Sequence, residues 1–178
     1  GTDRRNPWFL FRLAHDAEDG QMSHTFTPAD ISTALNLTIE LCRRFEGVYL
    51  RPYLCPAGVA TIGVGSTLYE DGTPVTLADA PITRERAFAL LRTTLARDYL
   101  PAAIRLCPGI DTPERLAALT DFTYNCGVGN LKASTLRRRV NAGDWDAVPT
   151  ELRRWTRGGG RVLQGLVCRR QAEADLVT

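Results

Sequence analysis

No stretch of this 178-residue chain approaches the roughly 20 consecutive apolar residues that crossing a bilayer requires. Trp8-Phe9-Leu10-Phe11 is interrupted at once by Arg12, which makes it too short for the core of a secretion signal. Histidine is scarce. His15 and His24 are the only two, and neither has neighbours at metal-ligand spacing, so no metal centre is expected. The five cysteines (Cys42, Cys55, Cys107, Cys126 and Cys168) are scattered, odd in number and without a CxxC pair. They outline neither a compact disulfide scaffold nor a zinc site. Gly63-Val64-Gly65 lacks the third glycine of a dinucleotide-binding turn, and no lysine follows it as in a phosphate loop. No cofactor is expected.

What is present fits one domain with a substantial core: 44% apolar and 24% charged residues over a length typical of a single folding unit. The net charge is only +2 but is unevenly placed. Residues 132–170 carry ten Lys or Arg against three Asp or Glu, whereas residues 1–131 carry twelve against fifteen. A basic C-terminal part suggests an anionic partner, such as the bacterial wall or an anionic membrane surface. Charge alone would also allow nucleic acid. The Gly158-Gly159-Gly160 interruption and the acidic N-terminal part argue against it, so no nucleic-acid partner is expected. The simplest alternative is a solvated arginine-rich helix face.

Residues 1–26 show no clean periodicity and read as an N-terminal extension or linker preceding a domain over 27–178. With Gly1 in place of Met, a processed chain or a piece of a longer parent is expected. Thr27-Pro28 supplies a hydroxyl cap and a first-turn proline. Ile31, Ala34, Leu35, Thr38, Ile39, Cys42 and Phe45 then recur at helical steps, predicting an amphipathic helix that ends at Glu46-Gly47. Cys42 and Cys126 fall on apolar patterns and read as small core residues. Over 48–76, glycines punctuate short β-prone runs (59–62, 67–69 and 74–76), predicting a small antiparallel sheet. A helix from Thr83 to about Cys107 follows, stopped by Pro108-Gly109, and then helical segments near 113–125, 130–141, 144–156 and 165–176. The expected fold is α+β, a mainly helical body with a small antiparallel β-lobe and a cleft between them.

Glu46 stands where the first helix runs into the β region. A carboxylate at a helix C-terminus faces the negative end of the helix dipole, and Phe45, Tyr49 and Tyr53 make its surroundings partly apolar. Both effects disfavour the ionised form, as a proton-donating acid near neutrality requires. Eight intervening residues separate Glu46 from Cys55, and five more separate Cys55 from Thr61. An acid followed at this spacing by a small nucleophilic side chain and a hydroxyl resembles the catalytic signature of the phage-type lysozymes (endolysins). The likeness runs from about Thr27 to Leu176. It takes in Ala117 to Gly129, Ser134-Thr135-Leu136, Asn141-Ala142-Gly143-Asp144, Trp155 and Leu163 to Arg170.

The resemblance implies a lysozyme-like fold and a muramidase that hydrolyses the β-1,4 bond between N-acetylmuramic acid and N-acetylglucosamine in bacterial peptidoglycan. It gives Glu46 the role of proton donor, with Thr61 and Cys55 managing the water. Thr67, Tyr124, Asn125 and Thr135 would line the saccharide cleft. The chain would work as a monomer on the cell wall in the periplasm, made in the cytoplasm and delivered by holin-type release or secretion. Two positions depart from the pattern. Cys55 stands where such proteins most often carry aspartate, and Ser66 where many carry histidine after the glycine pair. The alternatives are a lytic transglycosylase, the lysozyme domain of a secreted antibacterial effector, or a non-catalytic wall-binding module.

Overall fold

The computed structural model describes residues 24–178. The Trp8–Phe11 cluster, His15 and most of the lead assigned to residues 1–26 lie outside the described residues.

Helix α1 (Pro28–Phe45) begins as its sequence predicts: Thr27 and Asp30 form a reciprocal capping box, with proline in the first turn. Its apolar stripe of Ile31, Ala34, Leu35 and Ile39 is buried, with Thr38 and Cys42 on the same face. Glu46 closes the helix in extended geometry, its N–H donating to the Cys42 carbonyl at 2.9 Å. Gly47 follows because the turn brings the Tyr49 ring over it; a β-carbon there would lie 3.0 Å from Tyr49 Cε2.

The β-lobe is smaller than the sequence suggests. Strands β1 (Tyr49–Leu54) and β2 (Ala60–Gly63) form an antiparallel pair with Tyr53 opposite Thr61 and Leu54 opposite Ala60. The register shifts between Tyr49 and Tyr53, the stretch that contains Pro52, which has no N–H to give to the ladder. The runs at 67–69 and 74–76, expected as strands, contribute only the isolated bridge Leu68–Pro74; a second isolated bridge, Ile62–Ser66, closes the turn after β2. Glycines 63 and 65 take positive φ (67° and 81°), and each holds the chain against a neighbour: Gly63 against Ala87, Gly65 against Tyr124.

The segment expected as one helix over 83–107 comprises α2 (Arg84–Thr94), a π-helical turn over Leu95–Tyr99, and α3 (Leu100–Leu106). Pro101 gives the reason. It cannot donate within the helix, and its ring crowds the carbonyl one turn back, so the backbone widens and the Leu100 N–H reaches the Leu95 carbonyl. Helix α4 (Pro113–Cys126) is capped by Thr112 and buried on nearly every side from Leu116 to Thr123. The single helix expected over 130–141 is split into α5 (Val128–Ala133) and α6 (Thr135–Asn141). Ser134 takes extended geometry and caps α6 by accepting from the Arg137 N–H at 3.0 Å. Helix α7 (Val148–Arg153) is shorter than its sequence pattern. The triple-glycine region forms a two-residue hairpin, β3 (Arg157–Gly158) with β4 (Arg161–Val162), leading into α8 (Gln164–Val177).

Helix α4 is the axis of the body, and α1, α3 and α8 pack on it. Leu116, Leu119 and Phe122 are fully buried, with the Trp155 ring edge-on to Phe122 at 5.2 Å. The end of α1, the middle of α4 and the first half of α8 converge at the base of the β-lobe. The architecture is α+β and lysozyme-like, a mainly helical body carrying a small antiparallel β-lobe.

Candidate active site

Glu46 is set at this convergence by the end of α1, with 28% of its side chain exposed. The decisive contact comes from 123 residues away: Arg169 Nη1 of α8 donates to Glu46 Oε1. Arg169 is itself buried, and its other edge grips the fully buried Asp121 of α4 with two bonds, Nε to Oδ2 at 2.8 Å and Nη2 to Oδ1 at 2.7 Å. Cys42, one turn before Glu46 on α1, donates its thiol to Asp121 Oδ1 at 3.5 Å. Burial together with the negative charge of Asp121 pushes the Cys42 thiol far up, so it stays protonated. Cys42 is therefore a core thiol, as expected, but one that feeds a polar network. Cys126 is only half-buried and accepts from Arg170 Nη1 at 2.8 Å. All five thiols are free.

The sequence places a helix dipole and aromatic rings around Glu46, both disfavouring its charge. The structure adds an adjacent cation, Arg169, which sequence reasoning missed together with Asp121. The available signal was the presence of charged residues at interior positions. Asp121 falls on the buried stretch of α4, and Arg169, Arg170 and Glu173 recur on the packed face of α8.

On the β side, Cys55 follows β1 in a tight turn: the Gly58 N–H donates to the Cys55 carbonyl at 2.8 Å, and the Cys55 N–H to the Val59 carbonyl at 3.0 Å. The backbone N–H groups of Val59 and Ala57 point at the Cys55 sulfur, and the Thr61 hydroxyl lies within hydrogen-bonding reach of it. Together they draw the thiol below its ordinary value. Thr61 is buried on β2 with its hydroxyl donating to the Val59 carbonyl at 2.9 Å. The sulfur is thus a partly exposed, anion-favouring group held by local backbone. Tyr53 is paired across the strands with Thr61, its ring tilted against that of Tyr49 with centroids 4.4 Å apart, and it feels the charges of both Cys55 and Glu46.

The remaining residues singled out by sequence are distributed more widely. Tyr124 of α4 is within electrostatic range of Glu46, and its hydroxyl donates to the Val64 carbonyl, tying the helical body to the β-lobe beneath Gly65. Asn125 is half-buried on the last turn of α4, its Oδ1 accepting from the Cys126 thiol at 3.7 Å. Thr67 is exposed after β2, and its carbonyl accepts from the Val75 N–H. Thr135 opens α6, its hydroxyl accepting from Arg138 Nη2 at 2.8 Å. Among the described residues, neither Thr67 nor Thr135 shares a hydrogen bond with Glu46, Cys55 or Thr61. Ser66 is buried with an Oγ that has no hydrogen-bond partner among the described residues.

A partly buried acid on one side and a thiol with a buried hydroxyl on the other thus lie at the junction of a helical body and a small β-lobe, the arrangement expected of a lysozyme-like fold. The chain belongs to the phage lysozyme family: the model of that family, described as "Phage lysozyme", matches residues 43–173, which hold every site residue above except Cys42. The family is one of peptidoglycan-degrading hydrolases acting on the cell wall. The chain is 37% identical over 134 residues to the SAR-endolysin of Bacteriophage PS119, covering 74% of this chain and 75% of that one. It is equally similar to the SAR-endolysin of Enterobacteria phage P21, over 74% and 76%. The fold is similar to the endolysin from Escherichia coli O157:H7 phage FAHEc1 (TM-score 0.67, 28% identity, 88% of this chain and 95% of that one). It is similar to the same degree to the muramidase domain of SpmX from Asticaccaulis excentricus (TM-score 0.67, 29% identity, 86% and 97%).

Proposed function

We propose that this peptidoglycan hydrolase is a muramidase cleaving the β-1,4 bond between N-acetylmuramic acid and N-acetylglucosamine. The observation that carries the reading is the partly buried Glu46 carboxyl, anchored through one oxygen by Arg169 at the end of α1. Glu46 donates its proton to the leaving glycosidic oxygen. The Cys55 thiol, drawn below its ordinary value, stands where the family more often carries a carboxylate. With the Thr61 hydroxyl it holds and polarises the attacking water or stabilises developing positive charge on the sugar. Thr67, Tyr124, Asn125 and Thr135 line the saccharide cleft, Tyr124 chiefly by fixing the two lobes relative to each other.

The basic C-terminal part draws the enzyme to an anionic wall or membrane surface. Two of its ten cations, Arg169 and Arg170, are buried and paired, so the attraction rests on the exposed ones such as Arg138, Arg153, Arg157 and Arg161. The enzyme acts as a monomer on the wall, reaching it by holin-type release or secretion.

One observation favours a second reading. The site has no second carboxylate at position 55, and a lytic transglycosylase needs only the acid. Mass spectrometry of digested peptidoglycan separates the two. Hydrolysis yields reducing muropeptides and transglycosylation 1,6-anhydro ends, while binding without either product would mark a non-catalytic module.

A further inference from the structure

The charged groups buried behind Glu46 form a chain with an internal logic. Along it stand Glu46, Arg169, Asp121, Glu173 and Arg170, drawn from α1, α4 and α8. Arg169 meets Glu46 through Nη1 alone, because Nε and Nη2 are both taken by Asp121. Glu173, wholly buried, is paired with Arg170; burial and the negative charge of Asp121 push its carboxyl well above the ordinary range. A lone arginine against Glu46 would hold that acid in its ionised form, which is useless for donating a proton. A carboxylate on the far edge of the same guanidinium offsets this charge and fixes its orientation.

We propose that Asp121 is a positioning residue for the reaction. It locks Arg169 through a two-bond fork so that a single donor orients Glu46, and its negative charge offsets the cation that lies against the acid. The inference rests on the reading of Glu46 as the proton donor. Asp121 does not touch substrate and acts only through Arg169.

The groups facing Glu46 are Arg169 from α8, Tyr124 from α4, Tyr53 from β1 and Cys42 from its own helix. Those facing Asp121 are Arg169, Cys42 and Glu173, with Arg170 and Cys126 behind Glu173. Burial raises both tyrosines and Cys42, so they remain neutral through the working range. Glu173 is the other carboxyl able to titrate there, and Glu173→Gln as a common background removes it.

The test is the Glu46 titration, followed by carboxyl NMR of 13C-glutamate-labelled protein, beside the pH profile of peptidoglycan solubilisation. Asp121→Asn leaves the Arg169 charge undivided on Glu46, so the Glu46 midpoint and the alkaline limb of activity fall together. The expected shift is about one pH unit, a tenfold loss of rate above the limb, carried by kcat and not by KM. Asp121→Asn paired with Arg169→Gln removes both charges, an exchange buried pairs tolerate. It is expected to move the midpoint the opposite way, above that of the wild type. A merely structural role for Asp121 does not reverse sign between the two variants.

An unchanged Glu46 midpoint in folded Asp121→Asn overturns the inference. Should that variant not fold, a midpoint in the double variant at or below the wild-type value overturns it equally. Failure of the wild type to digest peptidoglycan would sink the muramidase reading, and the NMR titration would still decide the role of Asp121.

Discussion

The two sides of the site are built by different means. On the β side, everything that shapes Cys55 lies within six residues of it: the N–H groups of Ala57 and Val59 and the hydroxyl of Thr61. On the helical side, Glu46 is held by Arg169 and, through it, by Asp121, residues that meet only when α1, α4 and α8 pack. A local turn supplies the first environment, whereas global folding supplies the second. The β side should therefore tolerate exchange of its key atom for another anion, and the helical side should answer to charge balance.

The largest expected effect comes from the acid itself. Glu46→Gln keeps shape and hydrogen-bonding capacity but has no proton to deliver, and turnover of peptidoglycan is expected to fall about 10²–10⁴-fold with fold and thermal midpoint preserved. Next is Cys55. Cys55→Ala is expected to lose about 10²-fold in kcat, whereas Cys55→Asp supplies a carboxylate there and recovers most of it. Because a carboxyl ionises at lower pH than even a depressed thiol, the acid limb of the Cys55→Asp profile is expected to move to lower pH. Equal activity of Cys55→Ala and wild type would reduce Cys55 to a structural thiol and leave the β side without a chemical role.

The join between the two sides is next in size. Gly65 has φ of 81°, and a β-carbon there would lie 3.1 Å from the Tyr124 hydroxyl that bonds Val64. Gly65→Ala is expected to cost about 1–2 kcal/mol, read as a thermal midpoint lower by about 2–4 °C per kcal/mol. The smallest effect concerns Glu173. Its raised carboxyl holds its proton in the folded state above the ordinary value of 4.5, so its contribution to stability is fully present in acid and is lost as pH rises through the folded value. Glu173→Gln has no such proton. Urea midpoints of the two proteins from pH 5 to 9 are expected to show the wild type losing ground steadily relative to the variant. A constant difference would mean that Glu173 does not titrate in this range.

The same contrast governs what the sequence made legible. Helix α1 with its capping box, α4 with its threonine cap, and the Glu46–Cys55–Thr61 spacing are written in contiguous residues, and the structure has α1 and α4 where local signals put them. Smaller elements depended on context. The π-helical turn follows from Pro101 meeting a helix that continues through it, and the division between α5 and α6 from Ser134 bonding as a cap within an otherwise helical run. The stretches at 67–69 and 74–76 have strand composition but meet partners only at single points. Arg169 and Asp121 were not legible as partners, because pairing across 48 and 123 residues leaves no trace in spacing. Their only trace was charge at positions an apolar core would otherwise fill.

The most direct test of the account is digestion of purified peptidoglycan in H₂¹⁸O by the wild type and by Glu46→Gln, with products resolved by mass spectrometry. Reducing muropeptides that carry one ¹⁸O at the new sugar end are expected from the wild type and are expected to be lost in the variant. Unlabelled 1,6-anhydro ends, or labelled products that persist undiminished in Glu46→Gln, would contradict that expectation.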